Sequence, residues 1–490
     1  MNILLASSEA VPYSKTGGLA DMVGALAKFL ARSGHEVRLV TPLYRGIRAQ
    51  FPDIRPFAWS LDLPLGPIRV QGKVWTREGD ERLTAYFIEQ PGFFERSDYY
   101  QERGVDYPDN AERFIFFCKA VVNLARYLPR RPDLVHVHDW QTALAPVFML
   151  EQKLHEGWID PPPSCLTIHN MAYQGAFPPG KYALTNLPGN YFQPDGLEFH
   201  GWMNCLKGGI SFADLLTTVS PRYAREITTE LYGCGLDGAL RRRQNELFGV
   251  LNGVDYDEWD PEADLFLPHN YSAADLHGKQ ADKIELQREM GLPVAAAIPL
   301  FGTISRLADQ KGVDIELTAL QEMLAADMQF VFLGSGEREY ERAWRKLAER
   351  YPAKCAARIG FDTGLSHRIE AACDFYVMPS RFEPCGLNQM YSLRYGTVPI
   401  VRLTGGLDDS VIDIAEDPDK ADGIKFAEYS VRALAKAVRK ALVLYGNQDV
   451  LAFYRQNGMA KDFSWARTAT AYGELYRKIP AIAAVHPQIL

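Results

Sequence analysis

Residues 2–41 read NILLASSEAVPYSKTGGLADMVGALAKFLARSGHEVRLVT, and this stretch decides the fold class. It opens on a short apolar run, 2–7. After a glycine-bearing loop, Met22, Val23, Leu26, Ala27 and Leu30 recur at helical spacing until Gly34 stops the helix, and 37–41 reads as a second strand. A strand, loop, helix, strand order predicts a parallel sheet with helices on its faces. The apolar runs 134–137 and 165–168 extend that sheet, and each is followed at once by polar residues that would meet along one edge.

The pattern restarts in the second half. Residues 298–304 read as a strand, 313–324 as a helix and 329–333 as a strand, and 357–360, 374–378 and 398–401 continue the series. The chain is therefore expected to be α/β, with two Rossmann-like doubly wound domains facing a cleft. The first spans 1–250 and the second 251–462, with the polar stretch 251–260 as hinge. A length of 490 residues already exceeds what one core usually organises. Ligands of this architecture bind where strand-end edges face each other. A final segment, 463–490, carries Trp465, Ala469, Tyr472 and Tyr476 at helical spacing. No repeat of solenoid period and no low-complexity tract interrupts the reading.

Composition excludes several classes of partner. The 53 basic and 61 acidic residues leave a net charge of −8, which provides no general attraction for nucleic acid or an anionic membrane. Any phosphate binding has to be local. Seven cysteines, an odd number with no Cys-x-x-Cys pair, fit a reduced compartment better than a disulfide scaffold. The opening residues lack the basic flank of a signal or transit sequence, and no segment is long and apolar enough to span a bilayer. A cytoplasmic protein is expected.

The loops at the strand ends carry the chemistry. Between the first strand and helix stand Lys15, Gly17, Gly18 and Asp21. Paired glycines let backbone amides approach a phosphate, the helix dipole favours its charge and Lys15 adds a cation. A Gly-Gly at a helix entrance can also be no more than room for small residues, and the order of a P-loop is absent. After 134–137 come His136, His138, Asp139, Trp140 and Gln141. In a strand, His136 and His138 share one face and Asp139 points to the other, so no three-ligand metal set is in view. Asp139 and Trp140 suit a sugar better, as a hydroxyl acceptor and a ring against a sugar face. His169 ends a further strand on the same edge.

In the second half, Arg306 and Lys311 share one loop, where two cations could clamp a pyrophosphate and stabilise charge on a departing phosphate. The most informative segment is SRFEPCGLNQ, 380–389. There Pro384 and Gly386 fix an irregular turn around Cys385, and a helix from about Leu387 would aim amide groups at an anion beside Glu383. Thr404, Gly405, Gly406 and Leu407 repeat the Gly-Gly device after another strand. Three such loops on matching edges point to a phosphorylated ligand.

Taken in order, KTGGLAD, HDWQ, HNMAYQG, the stretch 219–226, LNGVD at 251–255, SRLADQKG, SRFEPCGLNQ and TGGL resemble the bacterial glycogen synthases and plant starch synthases that use ADP-glucose. The resemblance runs through nearly the whole chain. It implies the two-domain arrangement called GT-B, no catalytic metal and no cofactor, and a C-terminal helix over 463–490 that crosses back to the first domain. It further implies that Lys15 and its glycines meet the donor phosphates or sugar, and that Arg306 and Lys311 bind the pyrophosphate with help from Thr404, Gly405 and Gly406. His169 and Glu383 would flank the reacting glucose, Phe361 would lie against adenine, and Asn252 would reach the donor side of the cleft. Tyr391 stands where a wider group of retaining transferases carries a second glutamate, and Gln389 is the polar residue usual near it in this family.

The expected reaction moves glucose from ADP-glucose to the non-reducing 4-hydroxyl of an α-1,4-glucan, glycogen or a maltooligosaccharide, with retention and release of ADP. With no evident nucleophile, front-face displacement follows, in which the departing ADP oxygen helps take the acceptor proton. Three rivals share the scaffold: a transferase using UDP-glucose, a phosphorylase with lysine-bound pyridoxal phosphate, and an inactive glucan-binding protein. Spacing alone does not choose adenine over uracil.

Overall fold

The computed structural model describes residues 1–79 and 82–483. The chain divides into two compact units, one of residues 1–219, 224–250 and the segment from 465 onward, the other of residues 220–223 and 251–464.

The first unit is built on β1 (Asn2–Ala6), β2 (Glu36–Pro42), β3 (Arg55–Leu65), β4 (Ile68–Glu78), β5 (Leu83–Glu89), β6 (Leu134–His138), β7 (Ser164–Ile168), β8 (Leu215–Thr218) and β9 (Leu247–Gly249). Among the described residues they form one sheet in the order β9-β8-β7-β6-β1-β2-β5-β4-β3. From β9 to β5 every pairing is parallel, and β4 and β3 add an antiparallel hairpin at the edge. Every residue of β1, β6 and β7 is buried, as befits central strands covered on both faces. The helix α1 (Gly18–Arg32) starts from an extended Gly17, carries Asp21 in its first turn and Arg32 in its last, and buries Met22, Val23, Leu26, Ala27 and Leu30. The hairpin β3–β4 has no counterpart among the strands expected from sequence. β3 contains Pro56 and Pro64, which argue against a central strand and are tolerated here because β3 is the edge.

The second unit is a six-stranded parallel sheet among the described residues. Its strands are β10 (Leu300–Ile304), β11 (Gln329–Gly334), β12 (Cys355–Ile359), β13 (Phe375–Met378), β14 (Val398–Arg402) and β15 (Ile424–Phe426), in the order β12-β11-β10-β13-β14-β15. Reversal of strand order at β10 and β13 marks the switch point of a doubly wound sheet. Its relevant helices are α2 (Val313–Met323), α3 (Thr363–Ala372), α4 (Asn388–Arg394) and α5 (Gly405–Ser410). The first strand begins two residues later than expected, because Pro299 has no amide and Ile298 is spent in a turn to the Ala295 carbonyl.

The last helix, α6 (Trp465–Ala483), belongs to the first unit and packs against α1. It buries Trp465, Ala469, Tyr472 and Tyr476, and the Tyr476 hydroxyl lies 2.8 Å from Nδ1 of His136. Of the expected segment 463–490, residues 484–490 lie outside the described residues. Among the described residues no helix is long and apolar enough to cross a membrane, and all seven cysteines are free thiols.

Candidate active site

Two sets of polar loops stand at the C-terminal ends of the strands, one on each unit. On the first unit, the loop after β1 holds Lys15, whose ammonium lies 2.7 Å from the carboxylate of Asp21 one turn into α1. A Cβ added to Gly17 or Gly18 would meet no protein atom within 4 Å, and neither glycine needs a left-handed backbone. Nothing in the fold requires glycine at these two positions, so the open space beside them is free for a ligand. The loop is anchored from below by Glu9, a buried carboxylate that accepts the Thr16 amide, the Thr16 hydroxyl at 2.7 Å and the Tyr100 hydroxyl at 2.6 Å. Ser8 completes the network, 2.7 Å from Tyr100.

Beside that loop the ends of β6 and β7 come together. Asp139 does not continue the strand with its side chain on the opposite face, as the alternation of β6 would have it. The strand ends at His138, and Asp139 turns left-handed, at φ 56°, to accept the backbone amide of His169 at 2.7 Å. Burial raises the Asp139 carboxyl to about 7, although the amides of His169 and Asn170 oppose the shift. His169 is thus held by its backbone, and Nδ1 of His138 lies 3.1 Å from Nε2 of its ring. Burial lowers His169 to about 3 and His138 well below its usual range, so both rings are neutral near pH 7. His136 is occupied by Tyr476 and by the Thr167 hydroxyl at 2.6 Å. Among the described residues no three His, Cys, Asp or Glu side chains gather as metal ligands.

On the second unit the loops after β10 and β13 meet. Lys311 Nζ lies 2.6 Å from Oε2 of Glu383, which also accepts the Ser380 hydroxyl at 3.0 Å. Backbone bonds knit the same loops: the Arg381 amide donates to the Gln310 carbonyl, and the Gln310 side chain to the Phe382 carbonyl. Arg306 is exposed and makes no ion pair among the described residues, so its guanidinium is available to an anion.

The Thr404–Gly406 loop sits directly against this segment. A Cβ on Gly405 would stand 1.9 Å from the Glu383 carbonyl, and one on Gly406 2.1 Å from the Cys385 carbonyl. The Gly406 amide donates to the Glu383 carbonyl at 3.1 Å. These glycines, unlike Gly17 and Gly18, are demanded by backbone contact, and their role in the fold is to seat Glu383. Gly386 is left-handed, at φ 72°, just before Leu387 caps α4, and the Gln389 amide group holds the turn by donating to the carbonyls of Cys385 and Gly386, each at 3.1 Å. Asn252 is buried, its backbone amide reaches the Cys385 sulfur, and its Oδ1 has no partner among the described residues. Phe361, just past β12, is 88% exposed and rests on none of the other site residues. Tyr391 stacks on Trp259 with ring centroids 3.8 Å apart, an aromatic pair where a second carboxylate would otherwise stand.

A glycogen synthase of an Anaeromyxobacter species is 47% identical over 482 residues, covering 98% of this chain and all of the relative. Glycogen synthase 1 of Geobacter sulfurreducens is 45% identical over 97% of this chain and 96% of its own. The chain belongs to the glycogen synthase family. The starch synthase catalytic domain model matches residues 2–242, and the model for glycosyl transferases group 1 matches 295–453. Among solved structures, the catalytic domain of Starch Synthase IV from Arabidopsis thaliana, bound to ADP and acarbose, superposes with a TM-score of 0.88 at 33% identity, covering 98% of this chain and 99% of that one. The fold is accordingly the GT-B arrangement that the glycogen synthase motifs imply. A sucrose-phosphate synthase from Thermosynechococcus elongatus shares the fold at 18% identity, with a TM-score of 0.62.

Within this glycogen synthase fold the structure joins Lys15 to Asp21, Asp139 to His169, Lys311 to Glu383, and Gly405 and Gly406 to the Glu383 segment. It brings neither Arg306 nor Phe361 onto the others. Sequence reasoning did not single out Glu9, Tyr100 or Ser380. Glu9 had a signal, since a carboxylate at the polar end of a buried strand needs donors and the next loop supplies them. Tyr100 had none, being 91 residues away from Glu9.

Proposed function

We infer that this protein is a retaining glucosyltransferase that moves glucose from ADP-glucose to the non-reducing 4-hydroxyl of an α-1,4-glucan and releases ADP. The observation that carries the reading is the Lys311 and Glu383 pair, with an exposed Arg306 earlier in the same loop after β10. It sets a cation and a carboxylate within one hydrogen bond of each other, as a site must when negative charge leaves one side of a bond and positive charge grows on the other.

In this reading Arg306 and Lys311 receive the diphosphate and stabilise it as the bond to the sugar breaks. Lys311 and Glu383 satisfy each other before the donor arrives, so the buried carboxylate of Glu383 is not stranded. Glu383 and the His169 region face the sugar as it takes on oxocarbenium character, His169 with a neutral ring and a backbone held by Asp139. Lys15, Gly17 and Gly18 line room for the donor, Asn252 supplies a buried acceptor, and Phe361 offers an exposed ring to the base. Asp139 and Asp21 are carboxylates within reach of sugar hydroxyls. The departing phosphate oxygen accepts the acceptor proton. Electrostatic stabilisation by side chains replaces a metal, and no cofactor takes part.

The test is to offer ADP-glucose and UDP-glucose separately with glycogen and follow label into α-1,4 linkages. Incorporation from ADP-glucose is the expected result. Label only from UDP-glucose would change the donor, and none from either would remove the activity.

A further inference from the structure

His136 and His138 alternate on one face of β6, and β7, which runs parallel beside it, carries Thr167 and is followed directly by His169. The result is a ladder of two rungs. On the lower rung, Nε2 of His136 meets the Thr167 hydroxyl at 2.6 Å, and on the upper rung Nδ1 of His138 meets Nε2 of His169 at 3.1 Å. The rings of His136 and His138 pack with centroids 4.3 Å apart. His138 is fully buried, and its other nitrogen, Nε2, has no hydrogen-bond partner among the described residues.

One proton occupies the upper rung. If His169 donated it through Nε2, His138 would carry its own proton on Nε2, where a buried N–H would point at nothing. If His138 donates through Nδ1, only a lone pair is orphaned on its Nε2. An unmet buried N–H is the rarer and costlier of the two, so the second arrangement prevails. A doubly protonated ring on either side is disfavoured by burial, which lowers both histidines, and at His138 also by the neighbouring rings.

We propose that His138 is a positioning residue: its Nδ1–H donates to Nε2 of His169 and fixes His169 as the Nδ1–H tautomer, so that this ring meets the reacting sugar as a hydrogen-bond donor. The backbone of His169 is already held by Asp139, and the ring contact removes its remaining freedom. The tautomer matters because a donor satisfies a sugar hydroxyl oxygen, whereas the opposite tautomer presents a lone pair. Its catalytic consequence rests on the reading that His169 lies beside the reacting glucose. The hydrogen bond itself does not.

The experiment has two arms on the full-length protein. The first labels the histidine rings with ¹⁵N and reads tautomers by long-range ¹H–¹⁵N correlation, with His169→Ala and His138→Leu assigning the signals. Nδ1–H on both His138 and His169 is expected in the parent protein, and loss of the His169 preference in His138→Leu. A parent protein with His169 in the Nε2–H form overturns the proposal. The second arm measures turnover. His138→Leu should lower kcat at least about 10-fold, short of the ~10⁴-fold cost of a wrong tautomer in a serine protease triad. His138→Asn, which can place an amide donor where Nδ1 stood, should recover most of the loss. Wild-type kcat in His138→Leu, or an Asn variant as impaired as the Leu one, removes the positioning role. If His138→Leu fails to fold, the tautomers of the parent protein and the Asn variant decide the question. The donor tautomer with no glucosyl transfer would leave the hydrogen bond standing and refute the functional reading alone.

Discussion

The ammonium of Lys311 and the carboxylate of Glu383 lie 2.6 Å apart, although 72 residues separate them in the chain. They meet because β10 and β13 are adjacent parallel strands whose following loops leave the sheet at the same end. Lys311→Ala or Glu383→Ala should cut kcat by at least ~10²-fold, the scale for removing one charge-stabilising group. Initial rates at saturating donor and glucan check this. Near-normal turnover in both variants would falsify the assignment.

Glu9 holds the loop that carries Lys15 through donors on Thr16 and Tyr100. Glu9→Ala removes the buried charged acceptor of three hydrogen bonds and should cost about 1–3 kcal/mol of stability. The loosened loop should also raise KM for the donor more than KM for the glucan. Tyr100→Phe, which removes one of the three donors, should give a smaller change in the same direction. Denaturant unfolding and donor titrations separate the two effects, and an unchanged donor KM in Glu9→Ala would argue against the anchor.

Asp139 gives a dependence on pH. Its folded-state carboxyl is raised to about 7 from an ordinary 3.8 by burial, so between those values the folded protein holds a proton that the unfolded chain has released. Its contribution to stability is therefore full below about pH 4 and declines as pH rises towards 7. Asp139→Asn keeps a carbonyl oxygen for the His169 amide and has no proton to lose. Relative to the parent, the Asn variant should gain in melting temperature as pH rises from 4 to 7, and a difference that stays flat across this window counts against the shift.

Tyr476 brings the end of the chain onto β6. Tyr476→Phe strips a buried His136 of its Nδ1 partner and should destabilise the protein by about 1–3 kcal/mol. Because α6 packs on the first unit, the loss should appear as earlier hydrogen exchange in β6 and β7. Equal exchange in both proteins would show that the bond carries no weight.

Side-chain cations in place of a metal predict indifference to chelators. Turnover should be unchanged after EDTA treatment and dialysis. Loss of activity restored by a divalent ion would require a different account of how the leaving diphosphate is neutralised.

Much of this was legible because the signals are local. The apolar run before Ser7, the helical spacing from Met22 to Leu30 and the glycines at 17 and 18 each report their own surroundings, and the structure has a strand, a helix and an open helix entrance there. What sequence could not convey depends on contact across distance. Gly17–Gly18 and Gly405–Gly406 look alike as text, yet one pair faces open space and the other is pressed against the carbonyls of Glu383 and Cys385. The alternation of β6 does not carry through to Asp139, because the strand ends at His138 and the next residue turns left-handed. Prolines in β3 concealed a strand that only its position at the sheet edge permits.

The place of α6 in the first unit has a consequence for how the protein is made. A ribosome delivers the N-terminal side of a chain first, so β1, β6 and β7 emerge early, and the helix that covers α1 and meets His136 follows only after the second unit. The second unit, from Leu251 to Ser464, is released in full before the first can be completed. During synthesis the first unit therefore waits with an uncovered flank beside α1, and a chain interrupted between Ser464 and α6 would carry a finished second unit and an unfinished first.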